Sequence, residues 1–188
     1  MKQPPRRIVT GHDDQGRAIF QEDGLPPRDV ALGTGEAVTR FYEVWNTQET
    51  PARIDRASGE PAEDGIVLAP PTNGTRIRIV DFPPEDASIT QLSAEEARER
   101  FAEVGAGDAS KHGDEGSPHP LMHRTETVDY GIVMDGEITL ILDTEERTVR
   151  AGGIVIQRGT NHGWANRSGE VCRVVFVLID GSFEDGLG

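Results

Sequence analysis

The second half of the chain is a series of short, β-rich segments separated by turn residues, and this pattern constrains the fold more than any other feature. From residue 121 the segments are LMHRTETVDYGIVM, DGEITLILDT, RTVRAGGIVIQRG and EVCRVVFVLIDG. Each holds a strand of roughly 6 to 9 residues, and turn signals recur about every 10 residues. Segments of this length and spacing are typical of a β-sandwich or β-barrel, so we expect an all-β fold.

The first half of the chain predicts further strands. The candidates RRIVTG, GRAIFQEDG and AVTRFYEVWN are separated by glycine- and proline-bearing turns, and TRIRIVDF follows a polar, proline-rich excursion. We therefore expect a β-rich N-terminal extension over residues 1–65, a barrel over 66–182 and a short tail over 183–188. The extension can continue the sheet or exchange with a neighbour, which predicts a homodimer.

One segment has helical periodicity. In SAEEARERFAEVG, Ser93 and Glu96 have the spacing of a capping box, and Gly105 is a natural stop. The pattern predicts one short helix over residues 93–104. The glycine-rich stretch over 105–120 has no periodicity and is expected to be a loop near the mouth of the barrel.

Charge and composition exclude several classes of partner. The 188-residue chain has a formal net charge of −14 and no basic cluster, so nucleic acid is not an expected partner. No apolar run approaches the roughly 18 residues of a membrane span, and no secretory signal is evident at the N-terminus. The single cysteine, Cys172, rules out an internal disulfide. We expect a cytoplasmic protein with no membrane partner.

A polar face precedes the apolar part of one predicted strand. Residues of equal parity share a face of a strand, so His123, Thr125, Thr127 and Asp129 are expected on one side, followed by Gly131. A face that is polar at one end and apolar at the other suits a barrel with a wet mouth and a packed floor. The pattern predicts a pocket for a small molecule.

The segment from His123 to Asn166 resembles the two-part signature of the cupin family. In the first motif, G-x5-H-x-H-x3-4-E-x6-G, His123 and Gly136 match, while Thr125 replaces the second histidine and Asp129 the glutamate. The resemblance implies a small jelly-roll barrel with a divalent metal inside it.

The second motif, G-x5-P-x-G-x2-H-x3-N, matches in spacing within RGTNHGWANRS. Gly159, His162 and Asn166 fall on the family positions, whereas Gln157 stands where proline is usual and Ala151 where the leading glycine is usual. The resemblance implies that His162 lies at the mouth of the barrel.

Two chemistries follow from these residues. The imidazoles of His123 and His162 with the carboxylate of Asp129 form a candidate ligand set for iron, zinc, manganese or nickel. Thr125 stands where the family has a second histidine ligand. The Asp129 side chain is one methylene shorter than the glutamate of the family. Without a metal, a histidine is a candidate general base with Asp129 as its partner. His112 and His119 are candidates for a third imidazole.

We therefore predict a small-molecule enzyme of the cupin type with three catalytic candidates, His123, Asp129 and His162. The reaction class stays open between dioxygenase, decarboxylase, isomerase and dehydratase. The predicted substrate pocket comprises Thr125, Thr127, Tyr130 and Trp164. The alternative is a non-catalytic barrel that binds a small ligand and has lost its metal site.

Overall fold

A computed structural model describes residues 2–33, 38–55, 66–110 and 117–187. These residues form eleven strands, two α-helices and one 3₁₀ turn, which confirms the all-β prediction. In chain order the elements are β1 (Arg7–His12), β2 (Ala18–Gly24), β3 (Arg28–Leu32), β4 (Thr39–Thr47), β5 (Thr75–Phe82), α1 (Ala87–Thr90), α2 (Ala94–Ala102), the 3₁₀ turn (Gly107–Ala109), β6 (Thr127–Asp135), β7 (Glu137–Ile141), β8 (Glu146–Arg150), β9 (Ile154–Arg158), β10 (Gly163–Ala165) and β11 (Cys172–Asp180).

The strands form two sheets and one separate hairpin. The large sheet has six antiparallel strands in the order β3-β4-β5-β11-β6-β9, and the small sheet has three in the order β10-β7-β8. Strands β1 and β2 pair only with each other in the described chain, and we call this hairpin the arm. The last described strand, β11, lies inside the large sheet between β5 and β6.

The core lies between the two sheets. Val133 on β6 and Val174 on β11 pack with Ile138 on β7 and Trp164 on β10, and all four side chains are buried. Alternation along each strand sends one set of side chains into this layer. The jelly-roll arrangement is thus held by apolar contacts between the sheets, as expected for a β-sandwich.

The predicted helix is confirmed by α2. Ser93 accepts a hydrogen bond from the Glu96 backbone, and the Glu96 side chain accepts one from the Ser93 backbone at 2.8 Å, so the capping box is complete. Gly105 has a φ of +67° just beyond the helix. The sequence predicted a single helix, whereas the structure also contains the four-residue helix α1, which is capped by Asp86. No helix in the described ranges is long and apolar enough to span a bilayer.

The region before residue 66 contains two kinds of structure. Strand β4 pairs with β5 over its length, so β3 and β4 belong to the large sheet. In the described chain the arm pairs with neither sheet, although Arg7 at its base donates to the Val44 carbonyl of β4 at 2.9 Å. The division at residue 66 stays a prediction, and residues 56–65 lie outside the described residues. The same is true of 111–116, which include His112.

Candidate functional site

A cavity of about 440 Å³ lies on the inner face of the large sheet. Its wall is mainly apolar, with Phe41, Phe82, Trp164 and Phe176 among its members. Strands β3 to β6, β10 and β11 contribute to it, and α2 contributes Phe101. Its polar members are Thr39, Arg78, Glu85, Arg100, Glu103, His123, Thr125, Asp129, His162 and Asn166.

The backbone brings His123 and His162 side by side. The His123 N–H donates to the His162 carbonyl at 2.8 Å, and the His162 N–H donates to the His123 carbonyl at 2.9 Å. This is a hydrogen-bonded antiparallel pair, in which the two side chains lie on the same face. The centroids of the imidazole rings are accordingly 4.2 Å apart. Two histidines 39 positions apart in the sequence thus form one unit, which we call the imidazole pair.

Hydrogen bonds to backbone carbonyls fix both rings. Nδ1 of His123 lies 3.1 Å from the Leu121 carbonyl oxygen, and Nδ1 of His162 lies 2.9 Å from that of Thr160. A carbonyl oxygen only accepts, so each Nδ1 carries the proton and each Nε2 keeps a lone pair. Phe101 from α2 packs on His123 with a centroid distance of 4.9 Å.

Both imidazoles are held neutral. Burial lowers the pKa of His123 to about 4, with a smaller Coulombic contribution from His119, against the hydrogen bond to Leu121 that raises it. Burial also lowers the pKa of His162 well below its ordinary range, with a further contribution from His123. An imidazolium in this apolar wall would lose its hydration without gaining a paired anion. At neutral pH the imidazole pair therefore presents hydrogen-bond acceptors.

Asp129 is the buried carboxyl group of the cavity. It lies on β6, and burial raises its pKa to about 6, against a hydrogen bond from Thr127 and the charge of Arg78. Its Oδ1 is buried with no hydrogen-bond partner in the described chain. A buried, unpaired carboxylate oxygen is costly. Asp129 is thus the group in this cavity whose protonation changes close to neutral pH.

The residues do not fit the predicted three-ligand metal centre. The imidazole pair has suitable donors, since ligating histidines commonly bond a backbone carbonyl through the other nitrogen. Among the described residues, however, no group of three His, Cys, Asp or Glu side chains is arranged to hold a metal ion. Asp129 is one methylene shorter than the family glutamate, and Thr125 replaces an imidazole. We therefore derive no reaction step through a metal.

Thr125 and Trp164 line the cavity as predicted, while Thr127 and Tyr130 do not. Thr127 is buried beside it, and its hydroxyl lies 2.8 Å from that of Thr125. Trp164 packs edge-on against His162, with centroids 6.1 Å apart. Tyr130 is 39% exposed on the outer face of β6. The prediction for Tyr130 overlooked strand alternation, because an even-numbered residue cannot share a face with Asp129.

His119 is engaged elsewhere. Its Nδ1 accepts a hydrogen bond from the Leu121 backbone, so its Nε2 carries a proton and donates to Glu85 at 2.7 Å. Both ring nitrogens are thereby used, and His119 does not supply a third imidazole. The Glu85 backbone in turn donates to the Asn166 carbonyl. The Asn166 side chain also donates to the Phe82 carbonyl at 2.8 Å.

The sequence analysis did not single out the buried charges of β4 and β5. Arg76 and Arg78 of TRIRIVDF are each only 2% exposed, and Arg78 lines the cavity. Glu43, the strand partner of Arg78, lies 3.1 Å from Arg78 and 3.2 Å from Arg76. An acidic residue on β4 opposite alternating arginines on β5 indicates a buried ion-pair cluster. This pattern is visible only once β4 is known to pair with β5.

Comparisons with known proteins agree with this architecture. The family model for the cupin domain matches residues 110–178. The chain is 41% identical over 180 residues to the Oryzines biosynthesis cluster protein J of Aspergillus oryzae, covering 93% of this chain and 82% of that protein.

Two further relatives cover most of the chain. The Phomopsin biosynthesis cluster protein C' of Diaporthe leptostromiformis is 31% identical over 94% of this chain and 78% of its own length. The cupin-domain-containing oxidoreductase srdB of Neurospora crassa is 31% identical over 94% of this chain and 74% of its own length. The chain belongs to the cupin superfamily, as a single cupin domain.

Proposed function

We propose that this cupin is an enzyme that acts on a small, largely apolar organic molecule by proton transfer inside the barrel cavity. The observation that carries the proposal is the pairing of one carboxyl group of pKa about 6 with two imidazoles held neutral in the same apolar wall. Groups whose environments push their pKa values apart are typical of acid–base sites. The names of the relatives, which include an oxidoreductase and biosynthesis cluster proteins, support an enzymatic role.

The pKa values assign the roles differently from the sequence prediction. A general base works best when its pKa lies near the working pH. Asp129 meets this condition, whereas His123, with a pKa of about 4, is a weak base. We assign proton abstraction to Asp129 and hydrogen-bond acceptance from a substrate hydroxyl or amine to the Nε2 atoms of the imidazole pair.

The step that fits this arrangement is removal of a proton from a carbon next to a carbonyl group. The proton moves from carbon to an Asp129 oxygen, and the electron pair of the C–H bond enters the carbonyl π system. Return of the proton to the same or another carbon gives epimerisation or isomerisation with no other reactant. The apolar wall excludes water from the carbanion.

Hydrogen–deuterium exchange tests the proposal without a known product. The protein is incubated in D₂O with a panel of small aldehydes, ketones and 2-hydroxy ketones, and loss of the C–H signal next to the carbonyl is followed by ¹H NMR. We expect exchange with at least one compound, at a rate that rises with pH through about 6 as Asp129 ionises. Asp129→Asn should slow it by about 10² to 10⁴-fold.

Tyr130→Phe is the matched control, because Tyr130 lies on the outer face of the same strand. It should exchange at the wild-type rate. Binding of a compound without exchange, detected by its line broadening, would instead support the non-catalytic ligand-binding barrel. Exchange that is equal in wild type and Asp129→Asn would contradict the role of Asp129.

A second candidate function is oxidoreduction, which the name of the relative srdB favours. It requires an electron acceptor in addition to the side chains of the cavity. Cys172 is not a candidate for that role, since it is buried and its pKa is raised to about 12. Consumption of oxygen or of a nicotinamide cofactor during turnover of a panel compound would select oxidoreduction over proton transfer.

A further inference from the structure

The imidazole pair offers the cavity two hydrogen-bond acceptors and no donor. Both Nδ1–H groups are already used by backbone carbonyls, and neither Nε2 atom has a hydrogen-bond partner among the described residues. Each Nε2 lone pair can therefore accept a hydrogen bond from a ligand. Because the centroids of the two rings are 4.2 Å apart, one ligand satisfies both nitrogens only if it has two donor groups on neighbouring atoms.

Two threonine hydroxyls connect the cavity with Asp129. Thr127 donates a hydrogen bond to the Asp129 carboxylate, and its oxygen lies 2.8 Å from the hydroxyl oxygen of Thr125. A hydroxyl has one proton, so the Thr127 oxygen accepts from Thr125. We call this row of Thr125, Thr127 and Asp129 the hydroxyl chain. It begins at the cavity, which Thr125 lines, and ends at the carboxyl group.

The buried charges next to the hydroxyl chain balance one another. The Glu43 carboxylate lies 3.2 Å from Arg76 and 3.1 Å from Arg78. Burial raises the pKa of Asp129, and the charge of Arg78 opposes that rise. Two guanidinium cations thus accompany two carboxylates when Asp129 is ionised. A carboxylate or ammonium ligand would give this buried group a net charge, so the cavity favours an uncharged ligand.

The cavity wall beside the imidazole pair is aromatic. Trp164 packs edge-on against His162, and Phe176 packs edge-on against Trp164 with centroids 5.4 Å apart. Phe82 continues the row at 6.3 Å from Phe176. An aromatic ligand can extend such an edge-to-face row. The cavity of about 440 Å³ is about three times as large as the roughly 150 Å³ that holds benzene, so a substituted or two-ring compound fits.

We infer that the substrate is an uncharged 2-hydroxy ketone with an aromatic group, and that the imidazole pair binds the two hydroxyls of its enediol form. The ketone has one hydroxyl and satisfies one Nε2 atom. The enediol has two hydroxyls on adjacent carbons and satisfies both, so the wall stabilises the enediol more than the substrate. The inference rests on the proton-transfer function proposed above and names its substrate class.

The hydroxyl chain supplies the second proton of the enediol. Asp129 removes the proton from the carbon that bears the hydroxyl group. The C–H electron pair forms the C=C bond, and the carbonyl π electrons move to the oxygen. The two hydroxyls then turn, Thr125 gives its proton to that oxygen, Thr127 replaces it, and Asp129 passes the abstracted proton to Thr127. The enediol is neutral, Asp129 is ionised again, and no other reactant is consumed.

Stable analogues of the enediol test the binding mode without turnover. 2,3-Dihydroxynaphthalene, 2-naphthol and naphthalene have nearly the same shape and carry two, one and no hydroxyl groups. Their affinities are measured by calorimetric titration with a chelator in every solution, so that no metal ion mediates binding. We expect the affinity to fall about 10-fold with each hydroxyl removed, because an Nε2 atom then loses its partner. Hydrophobicity alone gives the reverse order. Equal affinities, tighter binding of naphthalene, or no binding of the diol would overturn the inference.

His123→Phe tests whether the pair of imidazoles is responsible. The change keeps a ring of similar size and removes one acceptor, so the diol and 2-naphthol should bind with equal affinity. Tyr130→Phe, on the outer face of β6, is the matched control and should keep the wild-type difference. A His123→Phe protein that also keeps the difference would contradict the inference. If that variant does not fold, the analogue series on wild type still decides the binding mode.

Hydrogen–deuterium exchange separates the substrate class from the reaction. 2-Hydroxyacetophenone and propiophenone differ only by a hydroxyl in place of a methyl group, and each exchange rate is divided by the rate in buffer without protein. The protein should accelerate exchange of the hydroxy ketone about 10-fold more. Equal acceleration of both would support proton transfer and overturn the substrate class. Absence of exchange with every ketone would overturn the proposed function and the substrate class together.

Discussion

The two faces of strand β6 show the reverse of the usual polarity. The inner face begins with the buried polar residues Thr127 and Asp129, whereas the outer face presents Tyr130 and Met134 to solvent. A strand that only supported the fold would bury its apolar residues and expose its polar ones. Burying polar side chains on the inner face and exposing apolar side chains on the outer face each cost free energy of folding. The inner face borders the cavity, and the homodimer predicted from the sequence would give the outer face a partner.

The largest expected effect on stability comes from the imidazole pair. The unfolded chain takes up protons on its histidines near pH 6.5, while His123 in the fold resists protonation down to a pKa of about 4. The unfolded state thus binds more protons over this interval, and the contribution of His123 to stability is lost as the pH falls through it. The loss amounts to about 3 kcal/mol.

His123→Gln should remove most of that pH dependence. Urea unfolding of wild type and variant between pH 7.5 and 4.5 measures it, as the difference in free energy of unfolding at each pH. The difference should shrink as the pH falls. A difference that stays constant across the range would show that His123 is not held neutral by the fold.

Asp129 should act in the opposite direction. Its pKa is raised from 3.8 to about 6 in the fold, so the native state binds more protons than the unfolded state between these values. Stability is therefore lost as the pH rises through 6. Asp129→Asn, which is neutral at every pH, should be more stable than wild type at pH 8 by about 2 to 3 kcal/mol.

That gain should disappear near pH 4, where the wild-type carboxyl group is protonated in the fold. Thermal unfolding of both proteins at pH 8 and pH 4 measures it. If Asp129→Asn is destabilising at pH 8, the carboxylate has a stabilising partner. Burying Asp129 on the inner face of β6 would then cost no free energy of folding.

Two adjacent residues on β6 test the comparison of its two faces. Val133 is 1% exposed in the core, and Met134 next to it is 57% exposed. Val133→Ala should cost about 2 kcal/mol in free energy of unfolding, because it opens a cavity between the sheets. Met134→Ala should change that free energy by less than about 0.5 kcal/mol. Equal effects of the two changes would place Met134 in a buried environment within the single chain.

The smallest expected effect is that of metal removal. Because the described side chains do not converge as three ligands, we expect elemental analysis to find well below one divalent ion per chain. A chelator should leave the melting temperature unchanged. Near-stoichiometric iron, zinc, manganese or nickel that is lost in His162→Ala would contradict the geometric argument and restore the metal prediction.

Local sequence was informative wherever the determining contacts are local. The spacing of Ser93 and Glu96 predicted the start of α2, since a capping box involves only one turn. Alternation along β6 correctly placed Asp129 and Thr127 inside, and the same rule, applied to Tyr130, would have placed it outside. The two-part cupin signature located His123 and His162, although the metal that the signature implies is not matched by a convergent ligand set.

Strand pairing decided the rest. Sequence alone determined an all-β chain, one capped helix and the inward face of β6, because these follow from periodicities of a few residues. It did not determine that His123 would lie against His162, that Glu43 would hold two arginines inside, or that β3 to β5 and α2 would complete the cavity. Those features depend on which distant strands become neighbours and in what register, and that choice is made by packing of the whole domain.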